Sequence, residues 1–87
     1  MQFQIARTKQ FIKQYNKLPS KIQQKTVERI EVLCVDEFNL ILNNHPLKGE
    51  FLGQRSINVT GDIRIIYRKE GSTIILLLQI GSHSQLY

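Results

Sequence analysis

Asp62-Ile63-Arg64-Ile65-Ile66-Tyr67 is the stretch on which the fold turns. Under the two-residue period of a strand, Ile63, Ile65 and Tyr67 share one face while Arg64 and Ile66 take the other, the pattern of a central strand in an antiparallel sheet. Arg64 is the odd residue. A guanidinium is almost never buried without a partner, so on such a strand it points to solvent, to an ion pair or to an anion.

Toward the C-terminus, Glu70 and Gly71 make a turn, and Thr73 to Ile80 reads as the next strand. Six of its eight positions are apolar, which argues for burial on both faces, inside the sheet and with helices over one side. Toward the N-terminus, Thr60 and Gly61 turn the chain back to a short strand, Ser56 to Val59. His45 to Gly53, with one proline and two glycines, reads as a loop. Ahead of it, Ile22, Thr26, Ile30, Leu33 and Glu37 recur at spacings of three and four, predicting a helix from Ser20 to about Asp36. Ser20 and Gln23 form an S-x-x-Q capping box. Asn39, Asn43 and Asn44 before His45-Pro46 favour a boundary, because the residue preceding proline avoids helical angles. Cys34, beside the stripe, reads as a small core residue. An earlier helix runs from Thr8 to Leu18, with Phe11, Ile12, Tyr15 and Leu18 on one face and Lys9, Lys13 and Lys17 on another. The short connection at Pro19 implies an antiparallel helical hairpin. Phe3 and Ile5 alternate with Gln2 and Gln4 as a short edge strand. The order predicts an α+β domain over residues 1–87. Two antiparallel helices pack on one face of a twisted, mostly antiparallel sheet of about four strands, and the tail lies across the open face.

A chain of 87 residues has one core to stabilise it. Twelve Lys and Arg against seven acids leave a net charge of +5, which favours polyanionic or acidic partners, nucleic acid first. A membrane is not among the expected partners: no apolar run approaches the roughly 20 residues of a spanning helix. A single cysteine makes no internal disulfide and no signal-peptide pattern is read at the start, so the cytoplasm is the expected compartment. Cys34, His45 and His83 have no recognised zinc spacing; neither a metal nor another cofactor is expected.

Four segments carry a resemblance: His45-Pro46-Leu47-Lys48-Gly49, Gly53-x-x-Ser56-Ile57-Asn58-Val59-Thr60, Asp62-x-Arg64-Ile65-Ile66-Tyr67 and Ile80-Gly81-Ser82-His83-Ser84-Gln85-Leu86-Tyr87. Together, and in this order of elements, they resemble the RelE/ParE superfamily of toxins from type II toxin-antitoxin pairs, closest to the YafQ-like and YoeB-like mRNA interferase branches. The resemblance implies a metal-independent endoribonuclease that cuts mRNA in the ribosomal A site and is silenced in a hetero-oligomeric complex with a cognate acidic antitoxin. In such chemistry the ribose 2′-hydroxyl attacks the adjacent phosphate. A base takes the hydroxyl proton, a cation holds the phosphorane charge and an acid protonates the departing oxygen.

Carried over by position, the resemblance gives His83 the role of acid or base and Arg64 that of phosphate holder. His45 matches a second catalytic histidine, Asp62 an active-site aspartate and Tyr87 a terminal aromatic. Two positions depart: Asn58 stands where the YafQ group has a histidine, and Gln79 where it has an arginine on the last strand. If Arg64 replaces that arginine, the site is a hybrid of the two branches. Lys48, Arg55 and Arg68 are candidates for tracking the RNA backbone, against ordinary solvated charges. Phe51 and Tyr87 are candidates for stacking on bases, against simple packing. For His45 the alternative is a loop-capping hydrogen bond, for His83 an exposed tail histidine, and for Asp62 an ion pair. Two other functions stay open at this stage: a ParE-like gyrase inhibitor that acts by binding, disfavoured by His83 and Tyr87, and a catalytically weak RNA-binding relic.

Overall fold

The structure, a computed structural model, describes residues 2–87. In chain order the elements are β1 (Gln4–Arg7), α1 (Lys9–Asn16), α2 (Ser20–Val35), β2 (His45–Pro46), β3 (Arg55–Asn58), β4 (Ile63–Glu70), β5 (Ile74–Ser82) and α3 (His83–Leu86). Short 3₁₀ turns at Leu40–Leu42 and Gly49–Phe51 flank β2. The sheet order is β1-β5-β4-β3-β2, so β4 is the central strand and β5 lies inside the sheet. β1 pairs in parallel with β5, and the other three pairings are antiparallel. No helix among the described residues is long and apolar enough to cross a membrane.

The expected four strands are five. Within the predicted loop, His45 and Pro46 pair with Ser56 and Arg55. Two residues show no alternation that a sequence pattern could register. Pro46 is tolerated because β2 is a sheet edge, where its missing N–H costs no ladder bond. The expected capping box is also misplaced. Pro19 is the cap of α2 and no side chain bonds there; the Gln23 amide instead donates to the Tyr15 carbonyl at 3.0 Å, tying α2 to the end of α1. The box forms at Ser82 and Gln85, where it starts α3. There the tail makes one helical turn, and Glu37 lies beyond the end of α2 instead of on its stripe.

Phe11 of α1, Leu33 of α2 and Leu42 pack with Ile57, Ile65, Tyr67, Ile75, Leu77 and Ile80 on one face of the sheet. Fully burying each such side chain contributes about 1.5–3 kcal/mol. The inward positions of β5 run 75, 77 and then 80, because a bulge at Leu78, opposite the step from Ile66 to Tyr67 on β4, leaves that residue unpaired. Gln79 therefore stands opposite Ile66, on the face of Arg64, whereas a regular strand phase would have placed it beside Leu77.

A polar network closes the core under the 36–44 segment. The Tyr67 hydroxyl donates to Glu37 Oε2 at 2.7 Å and accepts from Asn44 Nδ2 at 2.7 Å. Lys69 Nζ stands 3.1 Å from Glu37 Oε1, Asn44 Nδ2 also reaches the Glu37 carbonyl, and Arg55 Nε donates to Asn44 Oδ1 at 2.7 Å. Glu37 is 7% exposed and Tyr67 0%, a burial these partners make tolerable. The network anchors the residue that precedes His45.

Candidate functional site

The face of the sheet away from the core carries a cleft of about 380 Å³ lined by Asn43, His45, Leu47, Ser56, Arg64, His83 and Tyr87. Four separate parts of the chain build it. β2 brings His45, β3 brings Ser56 opposite it, β4 brings Arg64, and the C-terminal turn brings His83 and Tyr87.

The candidate side chains are held by local devices. Asn43 takes a left-handed conformation with φ 48°, which asparagine tolerates better than most residues. Its carbonyl lies 3.0 Å from His45 Nδ1. A carbonyl only accepts, so Nδ1 carries the hydrogen and a neutral ring presents Nε2 as a free base. Arg64 Nη1 donates to the carbonyls of Thr60 at 3.0 Å and Gly61 at 2.9 Å. That turn is fastened by Thr60 Oγ1, which accepts from the Ile63 amide at 3.0 Å. The guanidinium is thereby aimed while other donors of its fork stay available to an anion.

The tail is fixed by the Ser82–Gln85 box: Gln85 N donates to Ser82 Oγ at 3.2 Å and Ser82 N to Gln85 Oε1 at 2.8 Å. The His83 amide donates to the Asp62 carbonyl at 3.2 Å, joining the tail to the start of β4. Gly81 leaves room for the capping box, since a Cβ there would lie 3.0 Å from Gln85 Oε1. The rings of His83 and Tyr87 lie 4.7 Å apart, and Phe51 meets Tyr87 edge-on at 5.7 Å.

The cleft thus gathers His45, Arg64, His83 and Tyr87, with Phe51 against its aromatic wall. It does not gather the Asp62 carboxylate, whose residue is exposed and contributes its backbone carbonyl. Arg55 faces the other side of the sheet, bonded to Asn44 and stacked at 5.1 Å over the Phe38 ring. Lys48 is exposed at the start of the 49–51 turn, and Arg68 is exposed and paired with Glu70 at 3.0 Å. Among the described residues, no three His, Cys, Asp or Glu side chains come together as a metal-binding group.

Sequence reasoning missed Asn43, Leu47 and Ser56. Ser56 is 0% exposed, and its hydroxyl has no partner among the described residues; neither has the buried Asn58 Oδ1, which stands across from Arg64 on the same face. Only the alternation of Ser56 and Asn58 with Ile57 hinted that both polar residues share the Arg64 face.

Over residues 3–87 the chain matches the sequence model of a family of bacterial toxins of type II toxin-antitoxin systems, YafQ. No protein of curated function matches it significantly by sequence. Among solved structures, it resembles YafQ from E. coli strain BL21(DE3) at 20% identity, with a TM-score of 0.83 over 99% of both chains. The E. coli DinJ-YafQ complex matches at 25% identity, TM-score 0.78, again over 99% of each chain. The RelBE2 toxin-antitoxin complex of Mycobacterium tuberculosis matches at 24% identity and TM-score 0.80, covering 95% of this chain and 100% of that one.

Proposed function

The chain belongs to the YafQ family of toxins from bacterial type II toxin-antitoxin systems, and on that premise we propose that it is a ribosome-dependent mRNA interferase. The supporting observation is the convergence of His45, Arg64 and His83 on one cleft. In this reading His45 Nε2 takes the proton of a ribose 2′-hydroxyl, and the oxygen attacks the neighbouring phosphorus. The free donors of Arg64 hold the non-bridging oxygens as charge builds, and because the turn carbonyls already aim the guanidinium, little reorganisation is needed. The bond from phosphorus to the 5′-oxygen breaks as His83 delivers a proton to that oxygen. The products are a cyclic phosphate and a 5′-hydroxyl; atoms and charge balance without a metal. Tyr87, with Phe51 behind it, offers a ring for an unstacked base.

The proposed partners are mRNA in the ribosomal A site, the ribosome, and a cognate acidic antitoxin suited to the charge of +5. Two of the similar solved structures are themselves toxin-antitoxin complexes. The test is cleavage of mRNA on programmed ribosomes by wild type and His83→Gln. Proton transfer by a positioned side chain contributes roughly 10² to 10⁴-fold, and the variant should lose about that much while keeping its fold and antitoxin binding. Undiminished cleavage would overturn the assignment.

A further inference from the structure

Beyond Phe51 the same face of the sheet holds a second depression of about 460 Å³, lined by Thr8, Gln10, Glu50, Phe51, Gln54, Arg68, Leu78 and Gln79. We propose that this groove receives a nucleobase adjoining the cleaved linkage and reads its hydrogen-bonding edge; the proposal rests on the nuclease reading above.

Charge separates the groove from the cleft. The cleft is lined by Arg64 and two imidazoles and by no Asp or Glu side chain, which suits a phosphate. The groove has Glu50 in its wall, and its one cation, Arg68, is already paired with Glu70. A phosphate gains little there. A neutral base suits it better, because three amide side chains project around an aromatic ring. Gln14, Gln23 and Gln85 spend their side chains on Ile80 N, Tyr15 O and Ser82 N. Gln10, Gln54 and Gln79 make no comparable side-chain bond among the described residues, and each offers a donor and an acceptor side by side. The Watson–Crick edge of every base presents that combination, and an unstacked single-stranded base leaves it open to such side chains.

The groove is also built by the fold. The bulge that leaves Leu78 unpaired turns Gln79 to this face, and bulges commonly re-aim a side chain in this way. Thr8 Oγ1 donates to the Leu78 carbonyl at 2.8 Å, fastening the bulge to the start of α1 and so bringing Gln10 to the rim. Phe51 forms the shared wall, meeting Tyr87 on one side and lining the groove on the other. A strand with its scissile phosphate at Arg64 and one base on Tyr87 has its neighbouring base within reach of Phe51. The volume is within the roughly 300–1,000 Å³ of small-ligand sites.

Two measurements test this. On programmed ribosomes carrying a panel of A-site codons, the ratio of kcat/KM between the best and poorest codons should fall about tenfold in Gln54→Ala and Gln79→Ala, the size of one lost amide-base pair. Rates on the poorest codons should change little. Separately, the side-chain amide resonances of Gln54 and Gln79 in the wild-type protein should shift with ribonucleoside monophosphates and stay still with inorganic phosphate. An unchanged codon ratio in both variants, with wild type cleaving normally, refutes the groove and leaves the nuclease standing. Amides that ignore the nucleotides, or respond equally to inorganic phosphate, refute it too. If wild type cleaves nothing, the nuclease reading fails, and the titration alone decides whether the groove binds a base.

Discussion

Tyr67→Phe removes one oxygen from the centre of the buried network and should cost far more than its size suggests. The hydroxyl donates at 2.7 Å to a carboxylate that is 7% exposed and accepts at 2.7 Å from Asn44. A hydrogen bond to a charged group is worth about 1.5–3 kcal/mol net, and the Glu37 oxygen it leaves stays buried without that donor. We expect a loss of about 2 kcal/mol. For a domain of this size that lowers Tm by about 8–16 °C and moves the urea midpoint by about 1 M at an unchanged slope. Alkali supplies a second signature. Burial pushes the Tyr67 hydroxyl far above the usual tyrosine range; the Asn44 hydrogen bond opposes this, and Glu37 adds to it through its hydrogen bond and its charge. Below about pH 10 the hydroxyl is protonated in both states and its contribution is complete. Above that, the unfolded chain releases the proton while the folded one keeps it, so stability falls by about 1.4 kcal/mol per pH unit until Tyr67 itself ionises. Urea unfolding at pH 7 to 11 should therefore show a steeper alkaline decline in wild type than in Tyr67→Phe. A loss under about 0.5 kcal/mol at neutral pH, or parallel alkaline limbs, would refute the argument.

The other expectations concern the cleft. Arg64→Ala should lower ribosomal cleavage about 10² to 10³-fold, the usual loss for one preorganised donor. Arg64→Lys should recover little of it, since an ammonium lacks the fork that bonds the turn and the phosphate together; kinetics matching wild type would return Arg64 to a solvated charge. Gly81→Ala should displace the tail, because its methyl meets the Gln85 oxygen of the capping box at 3.0 Å and Leu86 at 3.4 Å. A misplacement near 1 Å costs up to about 10²-fold in rate, so cleavage should drop while urea unfolding stays within about 1 kcal/mol of wild type; normal cleavage would show that the tail has room. Gln79→Arg should bring no gain in cleavage as large as about tenfold, or 1.4 kcal/mol of barrier, because Arg64 already supplies the cleft's cation and Gln79 lines the neighbouring groove. A much larger gain would mean that Arg64 does not hold the phosphate.

Much of the architecture was legible in the residues because it depends on local periodicity. The alternation through Ile63, Ile65 and Tyr67 marked the central strand, the apolar run of β5 marked its interior place, and spacings of three and four marked both long helices. Elements too short to show a period were not legible. β2 has two residues, and the S-x-x-Q pattern occurs at both Ser20 and Ser82, with only tertiary packing choosing between them. His45, Arg64 and His83 were named as a set by resemblance to a family, since nothing local connects residues so far apart in the chain.

What the chain by itself determined, then, is which of its longer segments become strands and helices, because backbone period is a local property. The tertiary structure alone decided orientation and company. Arg55 has the same charge as Arg64 and lies on an adjacent strand, yet pairing sends it to the opposite face, where Asn44 and Phe38 hold it. A single unpaired residue at Leu78 reverses the facing of Gln79, and such a slip follows from how two strands dock, which neither strand encodes alone.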